Sequence, residues 1–174
     1  FWDCSPLALC RQRWVDVMDK IFDIPGITKP VTSRQPIYRG SMFTWGEATR
    51  DGSRLPIATY FEGRWITGET IASNVIRLAN KLDGIRAEFG DRPIKITSWL
   101  RPPATNRIVG GVSNSQHLLG WAADIQIYGY SPHEVAKKLD PVWEGGLGDS
   151  ATFTHIDLRN LQGKPKARWD YGNA

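Results

Sequence analysis

Apolar residues between positions 69 and 89 recur at helical spacing. Ile71, Val75, Leu78, Leu82, Ile85 and Phe89 form one stripe, with polar and charged residues filling the rest. The spacing predicts a long amphipathic helix from Glu69 to Phe89, stopped by Gly90. Ile94-Lys95-Ile96-Thr97-Ser98 changes to a period of two and predicts a strand. Ala122 to Ile127 predicts a second strand, buried through Ala123, Ile125 and Ile127, and Thr152 to Leu158 a third. Ser131-Pro132-His133-Glu134 opens a helix that runs to about Leu139: Ser is the N-cap, Pro takes the first position and Glu stands three residues on. Arg101 to Ser115 is rich in Pro, Gly and Asn and reads as a loop, and Glu144 to Asp149 reads as a glycine-rich turn. Near the start, Trp14, Val15, Val17, Met18, Ile21 and Phe22 give roughly helical spacing over Arg11–Phe22. Pro25, Pro30 and Pro36 then break the chain into an extended connector.

This order predicts an α+β domain, with a small antiparallel sheet flanked by helices. Residues 1–40 are expected to form a helical and extended prelude, and residues 41–174 the main domain. A chain of 174 residues fits one domain, and 41% hydrophobic residues suffice for a core that needs neither metal nor disulfide. The net charge of +4 favours a polyanionic partner, whether nucleic acid, an acidic membrane or an anionic wall polymer. Lys/Arg runs never exceed two residues and there is no arginine-rich arm, which argues against nucleic acid. Cys4 and Cys10 either close a short disulfide, which would mean an oxidising compartment, or remain free thiols. They form no Cys-x-x-Cys pair, which argues against a thiolate zinc site. No apolar run approaches the ~20 residues needed to span a bilayer. A monomer is expected.

Candidate chemistry is concentrated in one segment. Ser115-Gln116-His117-Leu118-Leu119-Gly120-Trp121-Ala122-Ala123-Asp124 is followed about thirty residues later by Thr154-His155-Ile156-Asp157. Nitrogen and oxygen ligands suit zinc, and a site with only three protein ligands leaves a position open for water, which points to catalysis. Gly120 lets the chain turn back between His117 and Asp124, so both side chains can face one point. His155 and Asp157 are two residues apart on a strand and share a face. Taken alone, a His–Asp pair is more often a structural hydrogen bond than a ligand set. His133, in the first turn of its helix, reads as a surface residue. Trp99, Trp121, Trp143 and Trp169 lie near the motifs and are either cleft walls or core.

Taken together, Ser115, His117, Gly120, Ala122 and Asp124 match the pattern Ser-x-His-x-x-Gly-x-Ala-x-Asp without a gap. The chain thereby resembles the zinc D-Ala-D-Ala carboxypeptidase family of murein peptidases. The stretch Ile96 to Pro102, with Asn106-Arg107 and Gly110-Gly111, is similar to that family's substrate-binding arginine segment, and Phe153 to Arg159 to its second metal strand. The resemblance covers roughly residues 43–170. It implies the fold shared with vancomycin-resistance dipeptidases, phage endolysin peptidases and the hedgehog signalling domain. It also implies zinc held by His117, Asp124 and His155, with Arg101 and Ser115 binding substrate. The substrate class it implies is a peptidoglycan peptide, cleaved outside the cytoplasm in the periplasm, wall or medium, or by a delivered lysin. Zinc would lower the pKa of its water towards about 7 and polarise the scissile carbonyl.

One position departs from the pattern. Many relatives carry Asp or Glu three residues before the second metal histidine as general base; here that residue is Thr152. Asp157 and Asp149 are the nearest carboxylates and become the candidates. Thr152 favours a rival reading, a non-catalytic zinc domain that binds a wall polymer or partner. The retained Arg101, Ser115 and ligand triad favour the enzyme. A serine hydrolase lacks its Gly-x-Ser-x-Gly elbow, and both cysteines lie in the prelude, away from these motifs.

Overall fold

A computed structural model describes residues 19–172. Two short antiparallel pairs and a small helix precede the main unit. β1 (Ile21–Phe22) pairs with β2 (Val31–Thr32), α1 spans Trp45–Thr49, and β3 (Thr59–Phe61) forms a hairpin with β4 (Arg64–Ile66). The long helix α2 runs Gly68–Glu88, capped by the Thr67 hydroxyl, which accepts from the Thr70 N–H. It buries Ile71, Val75, Leu78, Leu82 and Ile85, as the apolar stripe predicts. Each such side chain contributes about 1.5–3 kcal/mol on leaving water.

β5 (Ile94–Ser98), α3 (Pro103–Ile108), β6 (Ala122–Ile127), α4 (Pro132–Leu139), β7 (Gly146–Asp149), β8 (Thr154–Asp157) and β9 (Ala167–Asp170) complete the chain. α4 opens as its sequence predicts. Ser131 accepts from the Glu134 N–H, while the Glu134 carboxylate accepts from the Ser131 N–H at 2.7 Å. The main sheet has five strands in the order β5-β6-β8-β7-β9. Its pairs are antiparallel except β7–β9, which is parallel.

Pairing sorts the side chains onto two faces. Ile96 lies opposite Ile125, Ala123 opposite Ile156, and Leu147 opposite Ile156; all but the half-buried Ile96 are buried in the core, and α4 packs on the same side. Asp124 lies opposite His155 and Ala122 opposite Asp157 on the other face, which forms the floor of a cleft. Among the described prelude residues, Ile24, Val31 and Ile37 are buried in the same hydrophobic cluster as Trp45 and Phe61.

Several expected elements are placed differently. The third strand starts at Thr154 rather than Thr152. The expected loop from Arg101 contains helix α3, with Pro103 at its start. Most of the helix expected over Arg11–Phe22 lies outside the described residues, and its last two positions form β1. The expected turn over Glu144–Asp149 contains strand β7, whose glycines answer to close packing rather than to turning. A Cβ on Gly146 would sit 2.3 Å from Asp157 Oδ2, and one on Gly148 2.6 Å from Trp169 Nε1.

Candidate metal centre

His117 sits on a 3-10 turn, Gln116–Leu119, closed by Gly120 in the left-handed region at φ 71°. That conformation suits glycine, and a Cβ there would also meet Val75 of α2 at 2.7 Å. Asn74 of α2 donates to the Leu119 carbonyl at 2.9 Å, so the long helix holds the turn against the sheet. β6 then carries Asp124 and β8 carries His155 on facing positions.

One ligand atom from each of His117, Asp124 and His155 lies within 4.8 Å of the other two, and all three residues are buried. Asp124 Oδ1 is 3.2 Å from His117 Nε2 and 2.8 Å from His155 Nδ1, and the two imidazole nitrogens are 3.3 Å apart. The remaining ring nitrogens point away from this focus towards acceptors. His117 Nδ1 meets the Trp99 carbonyl at 2.6 Å. A carbonyl can only accept, so Nδ1 carries the proton and Nε2 presents its lone pair inward. His155 Nε2 faces Asp157 Oδ2 at 3.5 Å, which favours the proton on Nε2 and the lone pair on Nδ1. Two inward nitrogens and one carboxylate oxygen, each imidazole oriented by an acceptor on its far side, form a donor set that fits a zinc ion.

The charges follow from this packing. Burial lowers the His117 pKa against the pull of Asp124. Burial would also lower His155, but its hydrogen bonds to Asp124 and Asp157 prevail and raise it. Asp124 and Asp157 are buried, which alone would raise them. The histidines, and Arg159 beside Asp157, outweigh that and hold both carboxyls below the ordinary range.

Arg101 follows β5 and approaches from that edge of the sheet. Its Nη2 lies 3.8 Å from Asp124 Oδ2, while its Nε is buried without an acceptor. Ser115 also lines the cleft and makes no capping bond to the 3-10 turn it precedes. At the opposite edge, β9 brings Trp169 and then Tyr171 to the cleft. The Trp169 ring is 5.1 Å from the His155 ring, and the Tyr171 ring 6.4 Å from it. Burial raises the Tyr171 pKa, and Asp124 adds to the rise while Trp169 opposes it. The cleft between these edges encloses about 670 Å³.

The two candidate carboxylates separate cleanly. Asp157 lines the cleft but is fully buried and engaged: Arg159 grips it through Nε at 2.9 Å and Nη2 at 2.6 Å, and the Gly146 N–H donates to it at 2.9 Å. Asp149 is not brought to the centre. It lies on the α4 face of β7, where His133 Nδ1 meets it at 2.6 Å. His133 is exposed, as a surface residue should be. Thr152 lies outside the cleft as well; its carbonyl accepts from Gln126 at 2.6 Å. Trp99, Trp121 and Trp143 are core, and only Trp169 among the four forms a cleft wall. Sequence reasoning passes over Tyr171, and over Arg159 as the partner of Asp157. The signal for Arg159 is its spacing, two residues beyond Asp157 and just past the strand end.

Comparison with known proteins agrees with this geometry. Residues 59–157, more than half the chain and all three converging side chains included, match the family model described as Peptidase M15. Over 83 residues the chain is 34% identical to the zinc D-Ala-D-Ala carboxypeptidase of Streptomyces albus G. That alignment covers 48% of this chain and 30% of that protein, so the similarity spans under a third of the relative's length. With the converging His117, Asp124 and His155 inside a matched segment of this extent, the chain belongs to the Peptidase M15 family.

Proposed function

We propose that this protein is a zinc-dependent peptidase that hydrolyses amide bonds in the stem peptides or cross-links of peptidoglycan, acting outside the cytoplasm as a monomer. The observation that carries the reading is the pre-oriented triad: two imidazoles whose outer nitrogens are already engaged, and a carboxylate whose pKa is held low. The likeness to a zinc D-Ala-D-Ala carboxypeptidase supports the metal and the substrate class. Among the described residues, no helix is long and apolar enough to cross a membrane.

His117, Asp124 and His155 would hold the zinc, which supplies a Lewis acid for the carbonyl and acidifies the attacking water. The protein's own groups do the rest. The Trp99 carbonyl fixes the His117 tautomer, and Asp157 keeps the proton of His155 on Nε2. Asp157 thus acts by positioning His155, while Asp149, on the other face of the sheet, serves neither role. Arg101 lines the cleft, and its guanidinium presents a planar fork of donors suited to a substrate carboxylate or carbonyl oxygen. The Ser115 hydroxyl, free of capping duty and lining the same cleft, would supply a second hydrogen bond. Residues 41–174 carry this machinery, with the described part of the prelude buttressing it.

Digestion of purified peptidoglycan, with mass spectrometry of the products, tests the proposal. Free D-Ala identifies a carboxypeptidase and split dimers an endopeptidase. Intact peptides after incubation with zinc-loaded protein would overturn the peptidase reading in favour of a wall-binding domain.

A further inference from the structure

Residue 152 lies outside the cleft, and the two carboxylates inside it are committed to the triad and to Arg159. The cleft nevertheless has a further hydroxyl. Tyr171 lies just past β9, with its backbone pinned on both sides: its N–H donates to the Asp149 carbonyl at 2.8 Å, and the Gly172 N–H donates to Asp170 Oδ1 at 2.7 Å. Its ring packs at 6.0 Å on Trp169 and 5.3 Å on Phe153. Gly148 leaves the space that this aromatic wall occupies, since a Cβ there would come within 2.8 Å of Tyr171 Cε2. Among the described residues, no carbonyl or carboxylate accepts from the Tyr171 phenol, so its O–H is left as a donor at the cleft that Tyr171 lines. Arg101 and Tyr171 therefore reach the cleft from the two opposite edges of the sheet, with the ligand strands β6 and β8 between them.

We propose that Tyr171 is a catalytic residue whose phenol O–H donates a hydrogen bond to the scissile carbonyl oxygen as negative charge develops on it, across the cleft from Arg101. The inference rests on the peptidase reading. The phenol keeps its proton throughout, so the step breaks no O–H bond. A donor aimed at charge that grows only in the transition state raises kcat rather than binding of the ground state.

Tyr171→Phe removes the donor and keeps the ring. The expected result is a fall of about 100-fold in kcat with KM unchanged. Zinc content should match the wild type. Calorimetry should show a comparable loss of affinity for a phosphinate analogue of the tetrahedral intermediate, with product-peptide affinity preserved. A Tyr171→Phe enzyme with wild-type kcat, or one that loses only KM or only zinc, overturns the inference while leaving the peptidase reading intact. A wild-type protein that carries zinc yet cleaves no murein peptide overturns both.

Discussion

The floor and the far wall of the cleft are built on different principles. The floor, β6 and β8, is antiparallel, buried and dense with partners; all four ring nitrogens of His117 and His155, and Oδ1 of Asp124, face another polar atom within 3.5 Å. The wall, β7 and β9, is parallel and glycine-bearing, and its outer strand and the Tyr171 that follows it are partly open to solvent. A metal centre needs rigidity in three ligands at once, and saturation supplies it. A substrate wall needs unfilled donors, and saturation would remove them.

The sharpest way to break the contrast is His117→Ala. It should abolish both zinc binding and turnover, read by metal analysis and peptide release; full metal retention would sink the ligand assignment. Next in size is Gly148→Val, which drives a side chain into Trp169 while leaving the ligands in place. Turnover should fall on the order of 100-fold with about one zinc retained, since displacing a positioning wall by an ångström has that effect. Loss of zinc in that variant would show that floor and wall are not separable.

Asp157→Asn tests the floor from beneath. It keeps the shape but removes the charge that orients His155, and zinc affinity should weaken by about 10- to 100-fold in a competition assay. Unchanged affinity would mean that Arg159 and Gly146 are its whole purpose. The pH dependence follows from His155. Its raised pKa in the metal-free protein means that the charged form stabilises the fold below the unfolded value of about 6.5, and that this stability is lost as pH rises through the folded value. Zinc requires the same Nδ1 unprotonated. Acidification should therefore loosen zinc, starting at a higher pH than for an ordinary imidazole, while on the metal-free fold the lowered pKa of buried His117 opposes the gain from His155. Zinc affinity that holds constant as pH falls through the ordinary imidazole range would contradict this. The smallest effect is expected for Asp149→Asn, on the α4 face: activity within about twofold of wild type. A larger loss would restore Asp149 as a catalytic candidate.

The same contrast explains what could be read from the chain. β5, β6 and the start of α4 were legible to the residue, because alternation and the Ser131–Glu134 capping box are local signals. The convergence of His117 and Asp124 was legible because they lie seven residues apart around a single glycine. β7 was not, because Gly146 and Gly148 look like turn residues until Asp157 and Trp169 are seen to fill the places of their side chains. Tyr171 was hidden for a related reason. Its position depends on a parallel pairing across about twenty residues, and no periodicity in β9 announces the partner.

That parallel strand has a consequence in time. Translation runs from the N-terminus, so a nascent chain that has cleared the ribosome only to residue 160 already holds His117, Asp124, His155, Asp157 and Arg159, yet has no β9. Until Ala167–Asp170 emerges, β7 has no partner on its outer side, and its Gly146–Asp149 backbone is an open sheet edge; the last strand to be made is the one that closes it.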